Sequence, residues 1–232
     1  MTVIGMLVDD LTVQLADDTL HYGGAWYNTG HAYHDNMLRW FHARMKDAPA
    51  FTMLDVGAST GAYALMAAHL PQMKAWAFEP FDEAYALLEA NIRLNRLQDR
   101  VHAVPLAVGE TFGEQEFYVC EPREVAGLSQ LGGKPRADKT YRTQRVVATT
   151  IDSYCAANAI ARVDVLKIDT EGGELAVLRG AMDVLRRDHP LVIAEYAPTN
   201  ADQYGYHPDA LIELLTGLGY NVRKDHEDII AE

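Results

Sequence analysis

Residues 53–61 read Met53-Leu54-Asp55-Val56-Gly57-Ala58-Ser59-Thr60-Gly61, and one helix length further on stands Ala77-Phe78-Glu79-Pro80. Each stretch is an apolar run that ends in an acid, and the first then turns through glycines into a helical pattern. Strands that alternate with helices in this way build an open parallel sheet, which binds its ligand in the crevice at the carboxyl ends of the strands. Asp55 and Glu79 are therefore expected at two neighbouring strand ends. They would face a ligand with hydroxyls to hold and an amino or backbone group to meet.

The same alternation continues on both sides. The spacing predicts strands over 51–56, 75–79, 101–108, 163–169, 190–196 and 220–223. It predicts helices over 62–70, 82–94, 172–185 and 208–218, with Asp82 as an N-cap. Residues 225–232 fit a reversed edge strand. Upstream, Met37, Leu38, Phe41 and Met45 recur at helical spacing, and residues 1–30 read as a small hairpin or irregular cap. Two more strands, 116–120 and 144–149, bracket a loop rich in Gly, Pro and Lys/Arg; a connection that long in a compact domain is usually functional or disordered. The expected fold class is α/β, a Rossmann-like, doubly wound, mostly parallel sheet. Residues 1–48 form a cap and helix of the same domain, and 49–232 its main body with an insertion around 110–150.

The 232 residues suffice for one domain with a full core. A net charge of −13 argues against a nucleic-acid or anionic-membrane partner, which would need a basic stripe. No apolar run reaches the roughly 18 residues of a membrane span, and residues 1–5 lack the pattern of a secretory signal. Cys120 and Cys155 stand far apart in no metal-type spacing and read as reduced thiols. A cytoplasmic protein with a small-molecule partner is the expectation, and a homodimer is compatible with it.

The glycine pattern narrows the ligand. The dinucleotide fingerprint G-x-G-x-x-G, counted from Gly57, meets Ser59 and Ala62 where two glycines belong, so the turn lacks the glycine that admits a pyrophosphate. A phosphate-free adenosine ligand fits better, and S-adenosylmethionine is one. Asp55 would accept from its ammonium group or hold the loop, and Gly57, Ala58, Ser59 and Gly61 would form the turn. Glu79 would accept from both ribose hydroxyls, since a carboxylate offers two oxygens. Pro80 and Phe81 would lie on the adenine face, and Ala107 at its edge. A nucleotide-dependent oxidoreductase and a non-catalytic binding module of the same fold are the alternatives.

On these residues the chain resembles the FkbM type of class I S-adenosylmethionine-dependent methyltransferases. The resemblance is carried by Leu54-Asp55-Val56-Gly57-Ala58, Phe78-Glu79-Pro80, Asn91 with Asn95, Ala107-Val108-Gly109, and above all Lys167-Ile168-Asp169-Thr170-Glu171-Gly172-Gly173-Glu174. It spans roughly residues 51–196. The family usually has Asn where this chain has Ser59. The resemblance implies methyl transfer, mostly to oxygen of sugar or natural-product hydroxyls.

The reacting end of the pocket is expected where the strand over 163–169 stops. Strand residues alternate faces, so Lys167 and Asp169 share a side. A lysine in so apolar a strand needs a carboxylate partner, Asp169, Asp55 or Glu195, and reads more readily as an ion-pair strut than as a base. Asp169, Glu171 and Glu195 form an expected acidic rim and are the candidate groups to take a proton from an acceptor hydroxyl. Glu174 is explained by the dipole of the helix it opens. Magnesium is a rival use of these acids, but the chain shows no committed ligand set and no metal ligand is assigned. His31 and His34 read as ordinary polar residues of the cap. Residues 127–133 are flexible enough for a lid, and Lys134, Arg136, Lys139 and Arg142 read as a solvated face or as a site for an anionic acceptor.

Overall fold

The structure, a computed structural model, describes residues 2–8, 11–21 and 32–232. A hairpin of β1 (Thr2–Val8) and β2 (Leu11–Ala16) precedes α1 (Ala32–Met45). Then come β3 (Phe51–Val56), β4 (Met73–Phe78), α2 (Asp82–Leu94) and β5 (Val101–Val104). The insertion holds β6 (Ala107–Val108), β7 (Gly113–Glu121), β8 (Gln130–Leu131) and β9 (Thr140–Thr149). The chain continues through α3 (Ile151–Ala157), β10 (Val165–Ile168), α4 (Glu174–Arg179), α5 (Met182–Asp188) and β11 (Leu191–Glu195). It closes with α6 (Pro198–Ala201), α7 (Asp209–Gly217), β12 (Val222–Asp225) and β13 (Asp228–Ala231).

Seven strands form the main sheet in the order β12-β13-β11-β10-β3-β4-β5, and only β13 runs against the rest. The order reverses between β3 and β10, which is where a doubly wound sheet opens its crevice. The period of two sorts the strands cleanly. Met53, Val165 and Ile193 face one core layer, while Leu54, Leu166 and Val192 face the other. Burying each such side chain stabilises the fold by about 1.5–3 kcal/mol. The first of these faces turns polar at its carboxyl end, where Asp55 and Lys167 are direct neighbours in the β3–β10 register.

The structure corrects several boundaries. The strand expected over 101–108 breaks at Pro105, which has no N–H for the ladder. Its second half, β6, joins β9, β7 and β8 in a separate four-stranded sheet. The segment 62–70 forms only a short 3-10 turn, Ala64–Ala68. Asp82 is the first helical residue of α2, not its cap, and Phe81 takes the cap position without a side-chain bond. The reversed strand β13 is not at the edge; it lies between β11 and β12.

The helix expected over 172–185 is two helices. Gly180 ends α4, and a Cβ there would lie 2.2 Å from the Gly109 carbonyl oxygen. The first N–H groups of α5 are satisfied from α3: the Asp152 carboxylate accepts from Asp183 at 3.0 Å and Val184 at 2.9 Å. The helix α3 itself had no counterpart in the sequence reading. Thr150 caps it by accepting from the Ser153 N–H.

Asn91 and Asn95 share a face of α2 and fasten β2 to it. Asn91 Oδ1 accepts from the Ala16 N–H at 2.8 Å, and Asn95 bonds both the N–H and the carbonyl of Gln14. Asn91 also donates to the Thr60 carbonyl at 3.0 Å, so it ties the glycine turn to the same clamp.

Gly180→Ala should destabilise the protein by about 1–3 kcal/mol, because backbone must move to admit the methyl group. Gly217→Ala, at a helical position with open space, should be neutral or stabilising by up to ~1 kcal/mol. Urea unfolding of the two variants checks the contrast. Equal stability of both would contradict it.

Candidate functional site

The glycine turn after β3 places the backbone of two strand ends in contact. Gly57 has φ +76°, and a Cβ on it would fall 1.8 Å from the Asp169 carbonyl oxygen. Gly57 and Ala58 donate their N–H groups to Phe78, and Glu79 donates to Val104. Ser59 is also left-handed, φ 50°. Asn tolerates that conformation better than Ser, which gives a physical reason for the Asn usual there in the resembled family.

Two cavities open along this rim. One, of about 320 Å³, is lined by Asp55, Tyr63, Lys167, Glu195, Asn200 and Asp228, among others. The second, of about 380 Å³, is bounded by Glu79, Pro80, Phe81, Leu106 and Ala107. Gly57, Ser59, Gly127, Asp169 and Glu171 line both, so the two cavities are lobes of one cleft that meet at Asp169. Their combined size is that of an ordinary small-molecule site. Among the described residues no lysine, arginine or histidine lines the second lobe, whereas Glu79, Glu110, Asp169 and Glu171 do.

Glu79 is almost fully buried. One of its oxygens accepts from the Ser59 N–H and the other from the Phe81 N–H, both at 2.9 Å. Burial pushes its carboxyl up to about 7 against the pull of those two donors. Asp55 is equally buried and accepts from the Ala64 N–H at 3.1 Å, which anchors the turn below it. Burial pushes it up to about 7 as well, with the Lys167 ammonium opposing and Asp169 adding to the rise. Ser59 Oγ is buried without a partner in the protein.

Lys167, 3% exposed, reaches Asp169 at 3.2 Å and Asp228 at 3.8 Å, and lies 5.2 Å from the centre of the Tyr63 ring. Burial alone would favour the neutral amine, but Asp169 and Asp228 outweigh it and hold Lys167 well above its ordinary value. It is a charged strut with no free lone pair to accept a proton.

Asp169, Glu171 and Glu195 bring carboxylate oxygens within 4.8 Å of one another. Oxygens so spaced are also what a hard cation accepts, but all three carboxylates already take a proton donor, Asp169 from Lys167 and the other two from one amide. Asn200, 5% exposed, donates to Glu171 at 2.9 Å and to Glu195 at 3.2 and 3.3 Å. Burial and the surrounding acids hold Glu171 and Glu195 well above the usual carboxylate range. Glu174 does different work: it accepts from the Thr170 and Gly172 N–H groups and the Thr170 hydroxyl, and so folds the loop that carries Glu171.

Asp228, Asn200 and Tyr63 were missed from the sequence. Asp228 faces Glu195 across the antiparallel β11–β13 pair, a contact visible only once β13 is placed inside the sheet. Among the basic residues of the insertion, Arg136 lines the first lobe, while Arg142 lies 5.2 Å from the centre of the Phe81 ring and pairs with Glu83 and Glu121. Residues 127–133, expected as a flexible loop, carry the short strand β8 and contact the segment after α6. The Tyr204 hydroxyl donates to the Leu131 carbonyl, and the Lys134 N–H to that of Gln203. His31 and the side chain of His34 lie outside the described residues. Cys120 and Cys155 are buried free thiols. Among the described residues no helix is long and apolar enough to cross a membrane.

Asp55 and Glu79 bind protons in the folded chain at pH values where the unfolded chain has lost them. Stability should therefore rise as pH falls from about 8 to about 5.5 and be lost as pH rises through about 7. Glu171 and Glu195 add the same sign, and Lys167, shifted upward, acts only above this window. Melting temperatures across that range check the sign. Asp55→Asn, which keeps an acceptor for Ala64, should shrink the difference; a parent that is more stable at pH 8 would contradict it.

A family model of the FkbM methyltransferase domain matches residues 55–222. The methyltransferase sdnD of Sordaria araneosa is 24% identical over 201 residues, 76% of each chain. The AMB antimetabolite synthetase AmbE of Pseudomonas aeruginosa is 26% identical over 204 residues, 75% of this chain and 10% of that protein. Among solved structures, the precorrin-6y C5,15-methyltransferase of Geobacter metallireducens superposes with a TM-score of 0.52 at 11% identity over 93% of both chains. The N-terminal domain of human METTL16 superposes with a TM-score of 0.50 at 16% identity, over 88% of this chain and 69% of that one. These two likenesses are of fold.

Proposed function

The chain belongs to the FkbM methyltransferase family, and on that premise we propose that it transfers a methyl group from S-adenosylmethionine to a hydroxyl of a small molecule such as a sugar or secondary metabolite. The observation that carries the choice of donor is the second lobe, where the described lining residues are acids, polar groups and apolar walls with no basic side chain among them. A dinucleotide would set its pyrophosphate among carboxylates there. A phosphate-free adenosine with a cationic centre meets the opposite situation.

The residues present fit such a ligand. Glu79 stands at the end of β4 with two oxygens for two ribose hydroxyls. Phe81, Leu106 and Ala107 supply the apolar wall for a base. Ser59, which lines both lobes, carries a buried Oγ without a hydrogen-bond partner among the described residues. When bound, adenosylmethionine supplies the electrophilic methyl group. The chain's own work is placement and proton handling. Holding an acceptor oxygen in line about 3 Å from the methyl carbon supplies much of the rate. The acceptor proton leaves for a carboxylate of the Asp169, Glu171 and Glu195 group. The family resemblance and the name of AmbE, an antimetabolite synthetase, support a small natural product as acceptor.

Glu79→Ala should weaken S-adenosylhomocysteine binding on the order of a hundredfold, the loss expected for two hydrogen bonds to a charged group. Gly57→Val should do at least as much, since the turn cannot form. Titration calorimetry reads both, with circular dichroism as the folding control. Unchanged affinity in both variants, or tighter binding of NAD than of adenosylhomocysteine by the parent, would sink the assignment.

A further inference from the structure

Two carboxylates from different elements stand side by side in the first lobe. Glu195 ends β11, and Glu171 sits in the loop after β10. Unpaired anions at this separation repel, and burial raises the cost. Among the described residues one neutral side chain donates to both. Asn200 Nδ2 carries two hydrogens, one for Glu171 and one for Glu195.

The amide is itself fixed. It lies on α6, which begins three residues after Glu195. Its backbone carbonyl packs against Gly172, where a Cβ would lie 2.6 Å from the Asn200 oxygen, so glycine at that position lets α6 meet the Glu171 loop. Glu171 is held at φ 58°, a strained conformation for a side-chain-bearing residue that survives only where its surroundings enforce it.

We propose that Asn200 is a positioning residue: by donating one amide hydrogen to Glu171 and the other to Glu195, it holds the two carboxyl groups as one pair facing the acceptor's hydroxyl. The role rests on the proposed acceptor lobe and adds to it the reason why two acids stay together there. An amide suits the task because it has two donors and no charge. A serine offers one donor, an aspartate would add a third acid, and a leucine offers none. Other charged or titratable groups also face the pair. Asp169 and Lys167 come from the β10 end, Glu174 from α4, Arg136 from the β8–β9 connection, Asp228 from β13, and Tyr204 and Tyr206 from the segment after α6.

The test needs no acceptor. Carbon-13 labelling of glutamate carboxyls in the full chain, with Glu171→Gln and Glu195→Gln for assignment, follows both groups against pH. In Asn200→Leu both carboxyls should titrate about one unit or more higher than in the parent, because the charged forms lose a donor. In Asn200→Ser, the fallback if the leucine variant does not fold, the rise should be smaller. Unchanged carboxyl titration in a folded Asn200 variant with a lowered melting temperature would reduce Asn200 to a packing residue and overturn the proposal. Calorimetry with S-adenosylhomocysteine on the same samples separates the two claims. A parent that fails to bind it refutes the donor assignment, whatever the carboxyl titrations show; binding retained in Asn200→Leu leaves the donor assignment standing while the titrations decide Asn200.

Discussion

One buried ammonium makes the site possible. Lys167 sits in the middle of a central strand, and its charge is the reason so many carboxylates can share one end of the sheet. Asp55, Asp169, Glu171, Glu195, Glu227 and Asp228 all line the same lobe, where Lys167 and Arg136 are the only cations among the described lining residues. Taking an unpaired charge out of water costs several kcal/mol, and opposite charges at 3–4 Å are what offset it. Lys167 meets this condition through Asp169 and Asp228. The neighbouring acids are held differently: Asp55 accepts a backbone N–H, and Glu171 and Glu195 accept the Asn200 amide.

The excess of acid over base also selects the ligand. An anionic group would enter the second lobe against Glu79, Glu110, Asp169 and Glu171, with no basic side chain among the described lining residues. A sulfonium cation would enter with them. The glycine turn, the strand-end acids and the charge of the lobe therefore favour the same class of cofactor for independent reasons. One is the shape of the backbone, one the hydrogen-bond capacity, and one the electrostatics.

The parts of this site that depend on neighbouring strands in a parallel sheet were legible in the sequence. Asp55, Glu79 and Asp169 follow apolar runs, and a period of two puts each at a strand's carboxyl end, so their convergence needed only the fold class. The same reasoning narrowed the partner of Lys167 to Asp169, Asp55 or Glu195, and the structure selects Asp169 and adds Asp228. Asp228 was invisible because its strand inserts between two others, and no local pattern distinguishes an inserted strand from an edge strand. Asn200 looks like any polar residue after a Pro-Thr step, and only the third dimension sets it between two acids. The break between α4 and α5 depends on how close Gly180 comes to Gly109, a contact between residues 71 positions apart. Asn91 and Asn95 stood out in the sequence as part of a resemblance, and the structure gives them a mechanical task in holding β2 to α2.

In the proposed function, Glu79 and the junction at Asp169 hold opposite ends of an adenosine-type methyl donor. A crystal structure with S-adenosylhomocysteine is the sharpest test. Both ribose hydroxyls should lie on the Glu79 carboxylate, the base between Phe81 and Ala107, and the sulfur at the Asp169 junction facing the first lobe. A ligand bound away from Glu79, or with its base in the lobe of Lys167 and Glu195, would contradict it.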